Sequence, residues 1–143
     1  MTRIFPAFAF VLLASAAAAE GDVEAGAAAF KRQCVACHVV VDEEGNSLAG
    51  RAARTGPNLY GVAGRVAGSV EGYRYSKALD AAKDAGMIWR QESLIAFVQD
   101  PTGYMRNALD DPRARSKMAY KLRKEEDAKN IYAFLESLAP EGG

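Results

Sequence analysis

Histidine occurs once in this chain, tryptophan once and cysteine only twice. Three such ligands cannot complete a structural zinc site, which needs four, and no second cysteine pair or histidine exists to help. Charge of one sign is also missing: 18 basic side chains face 18 acidic ones, so nothing suggests nucleic acid as a partner. No strand-like alternation competes with the helical patterns.

What is there begins with an export signal. Arg3 supplies positive charge, residues 4–13 are an apolar run, and small residues 15–19 precede Glu20. A spanning helix needs ~20 apolar residues, and this run is shorter and holds Pro6. Residues 1–19 therefore read as a signal peptide cut before Glu20, and residues 20–143 as a single periplasmic domain with no second domain appended. Export makes the thiols informative. Two cysteines in an oxidising compartment usually form a disulfide, yet a two-residue spacer would staple almost nothing.

Both cysteines and the histidine stand together in Cys34-Val35-Ala36-Cys37-His38. A thioredoxin-like redox pair would follow a strand, whereas the preceding DVEAGAAAFKRQ reads as a helix. Covalent haem attachment remains, for which C-x-x-C-H is the signature. Residues three apart share one face of a helical turn, so Cys34 and Cys37 can reach the two vinyl groups of one porphyrin edge. His38 follows as the proximal iron ligand. No second histidine is available for the other axial position, which leaves Met87, Met105 and Met118 as soft donors; each could equally be core filler. Met118, in a loop with proline and basic residues, is preferred over the other two.

Helices are expected from about Val23 to Gln33 with Asp22 as N-cap, over SKALDAAKDAG with Ser76 as cap and Gly86 as stop, over QESLIAFVQD before Pro101, and from about Lys124 to Leu138. QESLIAFVQD should bury Leu94, Ile95, Phe97 and Val98, and Pro101 should open a turn. Seven glycines and Pro57 between residues 39 and 75 argue for loop rather than long regular structure. The expectation is an all-α domain of four to five helices whose long loops wrap a large apolar group.

These residues resemble those of bacterial class I cytochromes c, most closely the longer c2-type carriers. The resemblance rests on GDVEAGAAAFKRQCVACH, TGPNLYGVAGR, GYRYSKAL, the Trp89 segment, FVQDP, SKMAYKL and IYAFL, and covers essentially all of residues 20–143. It implies one haem c attached through Cys34 and Cys37, with Met118 as sixth ligand and the Pro57 carbonyl accepting from the ring N–H of His38. It further implies that Arg65, Tyr75 and Trp89 hydrogen-bond a buried propionate. Without the resemblance, Trp89 and Tyr75 read as core aromatics and Arg65 as a surface charge. Gly26 and Phe30 fall where the first helix of the family crosses the last, against Ile131 and Phe134. Phe97 departs from the pattern, standing where many relatives carry a tyrosine near the methionine sulfur.

A His/Met pair closes the iron's coordination and suits one-electron shuttling rather than substrate chemistry. The expected donor is a cytochrome bc-type complex, and the acceptor a photosynthetic reaction centre, terminal oxidase or reductase. Arg113, Arg115, Lys117, Lys121, Arg123 and Lys124 put six positive charges into twelve residues around Met118, a docking face for acidic patches, although Asp110 and Asp111 precede it. The competing class is a haem enzyme or ligand sensor with a labile sixth position, which lacks a distal acid–base group. The carrier is expected to be a monomer.

Overall fold

The computed structural model describes residues 21–140, and the expected signal peptide, residues 1–19, lies outside them. Helix α1 spans Val23–Gln33 and begins at Asp22, whose carboxylate accepts the Ala25 N–H; Lys31 and Arg32 close its last turn, where cations oppose the helix dipole. Helix α2, Lys77–Asp84, starts on the Ser76 hydroxyl, and just beyond its Ala85 cap Gly86 takes φ +69°. Helix α3 spans Gln91–Gln99 and helix α5 Glu125–Ser137.

Two elements depart from the sequence reading. Pro101 opens a helix, α4, Pro101–Ala108, rather than only a turn. Proline at the first helical position loses no hydrogen bond, and the Asp100 carboxylate caps the turn by accepting the Gly103 N–H. A Cβ at Gly103 would lie 2.7 Å from that carboxyl carbon, so glycine makes room for the cap. The second is a short antiparallel hairpin in the glycine-rich region, β1 at Val40–Val41 and β2 at Ser47–Ala49. Asp42 builds its turn by accepting the N–H groups of Glu44 and Asn46, and Gly45 takes φ +88°.

Helices α1 and α5 cross tightly and form the frame. Gly26 abuts the main-chain carbonyl of Asn130, and a Cβ there would lie 2.8 Å from that of Phe134. Phe30, 1% exposed, packs on Phe134 with ring centroids 5.5 Å apart. Asn130 also accepts the Asp22 N–H at 2.8 Å. Ile131 is buried and also lines an interior cavity, and Asn130 joins Phe134 at the crossing beside Gly26. Helix α3 gives four residues to the cavity wall: Leu94 and Phe97, which are buried, and Ile95 and Val98, which were expected to be buried and are half-buried. The core is thus a shell of helices around an internal space rather than a filled centre.

Candidate functional site

The shell encloses a cavity of about 520 Å3, within the usual range for small-molecule and cofactor sites. Cys34, Cys37, His38, Pro57, Arg65, Tyr75, Trp89 and Met118 all line it. They are drawn from the end of α1, the loops before α2 and α3, and the loop before α5.

Cys34 ends α1, donating its N–H to the Phe30 carbonyl at 2.8 Å. Its own carbonyl then accepts from Cys37 at 3.1 Å and His38 at 2.9 Å, so the helix continues for one more turn. That turn sets both thiols on the cavity wall, and both are free. Burial, with Cys37 as a smaller cause, pushes the Cys34 thiol up to about 12.

His38 is held from two sides. Its Nδ1 lies 2.9 Å from the Pro57 carbonyl oxygen, which can only accept, so Nδ1 carries the proton and Nε2 keeps its lone pair. Burial lowers the imidazole below its ordinary value, against the opposing Pro57 hydrogen bond, and favours the neutral ring that a metal ligand requires. Gly56 lies on the ring: a Cβ there would sit 2.5 Å from Nδ1. Sequence reasoning gave Gly56 no role, although an unexplained glycine next to a proline in the haem-motif neighbourhood was a usable signal.

Arg65 and Trp89 are brought together by main-chain pairing. The Trp89 N–H donates to the Arg65 carbonyl at 2.9 Å and the Gly64 N–H to the Trp89 carbonyl at 2.8 Å, next to the Val66–Ile88 bridge. The Arg65 guanidinium reaches back to the carbonyls of Tyr60, at 2.5 Å, and Asn58, at 3.2 Å. It therefore binds main chain in this structure, beyond the propionate role the resemblance implied. Trp89, 6% exposed, stacks obliquely on Phe97 at 4.9 Å. The Tyr75 hydroxyl accepts from Val70 at 3.3 Å, and burial pushes its phenol above the ordinary value. Tyr73, which sequence reasoning left unassigned, meets Tyr75 edge-on at 4.7 Å, donates to the Thr55 carbonyl at 2.7 Å and joins the cavity wall. Its alternation with Tyr75 in GYRYSKAL was the available signal.

The three methionines separate. Met105 is fully buried in α4, and Met87 accepts a hydrogen bond from the Tyr104 hydroxyl at 3.4 Å; neither lines the cavity. Met118 does. Its loop is pinned by Ser116 N–H to Thr102, Lys117 Nζ to the Arg74 carbonyl and Leu122 N–H to the Val98 carbonyl. All six cations around it are exposed. Lys121 pairs with Asp100 at 2.7 Å and Arg113 with Asp111 at 3.7 Å, while Arg115, Arg123 and Lys124 have no ion pair among the described residues.

Soft sulfur and imidazole donors on a predominantly apolar wall fit an iron porphyrin, and the guanidinium and phenols near one part of it fit the porphyrin's acidic substituents. A shell with that lining defines a protein that wraps a covalently held haem. Comparison with known proteins agrees: residues 23–139 match the Cytochrome c family. A cytochrome c2 of Rhodovulum adriaticum is 54% identical over 118 residues, 82% of this chain and 93% of that one. A cytochrome c-550 of Paracoccus versutus is 37% identical over 137 residues, 94% of this chain and 86% of that one. The crystal structure of cytochrome c2 from Rhodobacter sphaeroides superposes with a TM-score of 0.81 at 47% identity, covering 83% of this chain and 97% of that one. The chain belongs to the cytochrome c family, and within it is similar to the c2-type proteins. It is an electron carrier rather than an enzyme, and carries one haem c attached through Cys34 and Cys37.

Proposed function

We propose that the chain is a periplasmic one-electron carrier, a single domain of residues 20–143 released from a signal peptide at residues 1–19. It would take electrons from a cytochrome bc-type complex and deliver them to a photosynthetic reaction centre, a terminal oxidase or a reductase. The bound haem iron supplies the one-electron couple. His38 would offer Nε2 and Met118 its sulfur to the iron. Pro57 holds the imidazole's orientation through the Nδ1–H, as outer hydrogen bonds to ligating histidines do. Arg65, Tyr75 and Trp89 would receive a propionate, and the predominantly apolar wall would keep water from the metal and so favour the reduced state. The exposed cations around Met118 steer the molecule to acidic partners and let it leave quickly.

The observation that carries this reading is that every residue singled out by the haem motif and its neighbours lines one cavity, while the rival methionines do not. The test is the absorption spectrum of the exported ferric protein, including the weak long-wavelength band of methionine sulfur on ferric iron. The band should be present and should vanish in Met118→Ala. A native protein without it, binding added ligands freely, would overturn the carrier reading.

A further inference from the structure

Pro57 gives its carbonyl to His38 but has no N–H with which to anchor itself. The oxygen it offers belongs to the rigid peptide plane joining it to Asn58, so whatever fixes Asn58 fixes the direction of that oxygen. Asn58 is half-buried and uses nearly every polar group it has. Its side-chain amide meets the peptide group of Val41 on both sides: Oδ1 accepts the Val41 N–H at 3.0 Å, and Nδ2 donates to the Val41 carbonyl at 2.7 Å. Oδ1 also accepts the Tyr60 N–H at 3.1 Å, and the Asn58 carbonyl accepts from Arg65 at 3.2 Å.

This two-point pairing has one geometry, as a strand-to-strand peptide pair does. On either side the chain is stitched in the same sense, Gly56 N–H to the Cys37 carbonyl at 2.7 Å and Leu59 N–H to the Val39 carbonyl at 2.9 Å. Residues 56–60 therefore lie along residues 37–41, with the His38 ring bonded between them and Asn58 as the side-chain clamp.

We infer that Asn58 is a positioning residue for His38: by pairing its amide with Val41 it aims the Pro57 carbonyl at Nδ1 and so sets the imidazole's orientation and donor strength. The inference rests on the proposed role of His38 as iron ligand. A plain loop staple would contribute stability alone. A positioning residue also sets the strength of the Nδ1–H bond, and with it the electron-donating character of the ring.

The test uses the holoprotein. Asn58→Asp keeps an acceptor for Val41 but loses the Nδ2 donor and sets a carboxylate oxygen against the Val41 carbonyl. Exchange of the His38 Nδ1 proton, measured by NMR in the reduced state and referred to the amides of α1, should quicken about tenfold, the worth of one net hydrogen bond. In Asn58→Leu, which removes the Val41 pairing without adding charge, the reduction potential should rise, because a weaker Nδ1–H bond leaves a poorer donor to ferric iron. Phe30→Leu, which loosens the α1–α5 crossing instead, should change neither quantity. In the wild type the Val41 N–H, the Asn58 amide protons and the His38 Nδ1 proton should exchange as one unit, a measurement that stands even where a variant does not fold. Independent exchange of the three, or an unchanged Nδ1 exchange in Asn58→Asp together with an unchanged potential in Asn58→Leu, would overturn the inference. Failure of the haem reading itself would be visible earlier, as a wild type with no thioether-bound, histidine-ligated spectrum.

Discussion

Replacing Gly26 with alanine sets two general rules against each other. Helix propensity alone favours alanine by ~1 kcal/mol. Here the new methyl would overlap the Asn130 carbonyl and sit 2.8 Å from the Phe134 Cβ. The obstacle is main chain of α5, which cannot swing aside, so the helices must separate. Overpacking of this kind costs ~1–3 kcal/mol, with the upper end expected against backbone. Separation also weakens the Asp22–Asn130 hydrogen bond, at 2.8 Å, for a further ~1 kcal/mol, and the Phe30–Phe134 ring contact for ~0.5–1.5 kcal/mol. After subtracting the propensity gain, the net loss is about 2–4 kcal/mol. In guanidinium chloride, with a slope of ~3–4 kcal/mol per molar, the unfolding midpoint of the holoprotein should fall by roughly 0.5–1.3 M at unchanged slope. Far-UV circular dichroism reads it. Ala28→Gly, on the exposed side of α1, should cost only ~1 kcal/mol and serves as the propensity control. A midpoint for Gly26→Ala at or above wild type would refute the backbone-contact account.

Met105→Ala should cost ~2–5 kcal/mol, as loss of a fully buried side chain does, yet retain the long-wavelength ferric band, whereas Met118→Ala should lose the band. Asp100 is held below the usual carboxylate range by the hydrogen bond from Lys121 first and the Gly103 N–H second. A depressed folded value stabilises above the unfolded value and is lost as pH falls through the folded one. Asp100→Asn keeps the cap acceptor but not the charge, so its stability deficit should be constant near neutrality and shrink below pH ~3.9, read by thermal melts. Arg123→Glu should slow electron transfer with an acidic partner roughly tenfold at ionic strength about 0.01 M and match wild type near 1 M in stopped flow. Lys121→Gln should cost less, because Asp100 already neutralises Lys121 at 2.7 Å.

Where the sequence carried its own local physics, it was legible. Asp22, Ser76 and Gly86 mark helix ends by side-chain capping or left-handed backbone, and each does so in the structure. The CVACH turn needed only the geometry of residues three apart. Helix α4 was hidden because Pro101 and Gly103 are breakers in most contexts; at N1 and beneath a capping aspartate they are helix starters. The hairpin was hidden by glycines that turn out to shape its turn. Asn58 and Gly56 were invisible for another reason. Their meaning lies in contacts with Val41 and His38 across the fold, and no spacing rule reports such a contact.

The Met118 segment joins these threads. A carrier works fastest when its ligands hardly move between oxidation states, and the Met118 sulfur proposed as one of them sits in an irregular loop. Yet the loop is pinned at Ser116, Lys117, Lys121 and Leu122 to four separate parts of the chain: Thr102 in α4, the Arg74 carbonyl before α2, Asp100 between α3 and α4, and Val98 in α3. Tyr120 adds a fifth tie, to Gln33 immediately before Cys34, and Gln33 in turn donates to Asp127 of α5. The cations in this segment therefore divide by task. Lys117 and Lys121 are partly spent on holding the loop, while Arg115, Arg123 and Lys124 have no ion pair among the described residues and are free to face a partner. Neutralising Lys117 should consequently disturb the methionine band and its pH stability, whereas neutralising Arg115 should alter only the salt dependence of electron transfer. Identical effects of the two substitutions on band and rate would show that the loop's anchoring and its docking charge are one property rather than two.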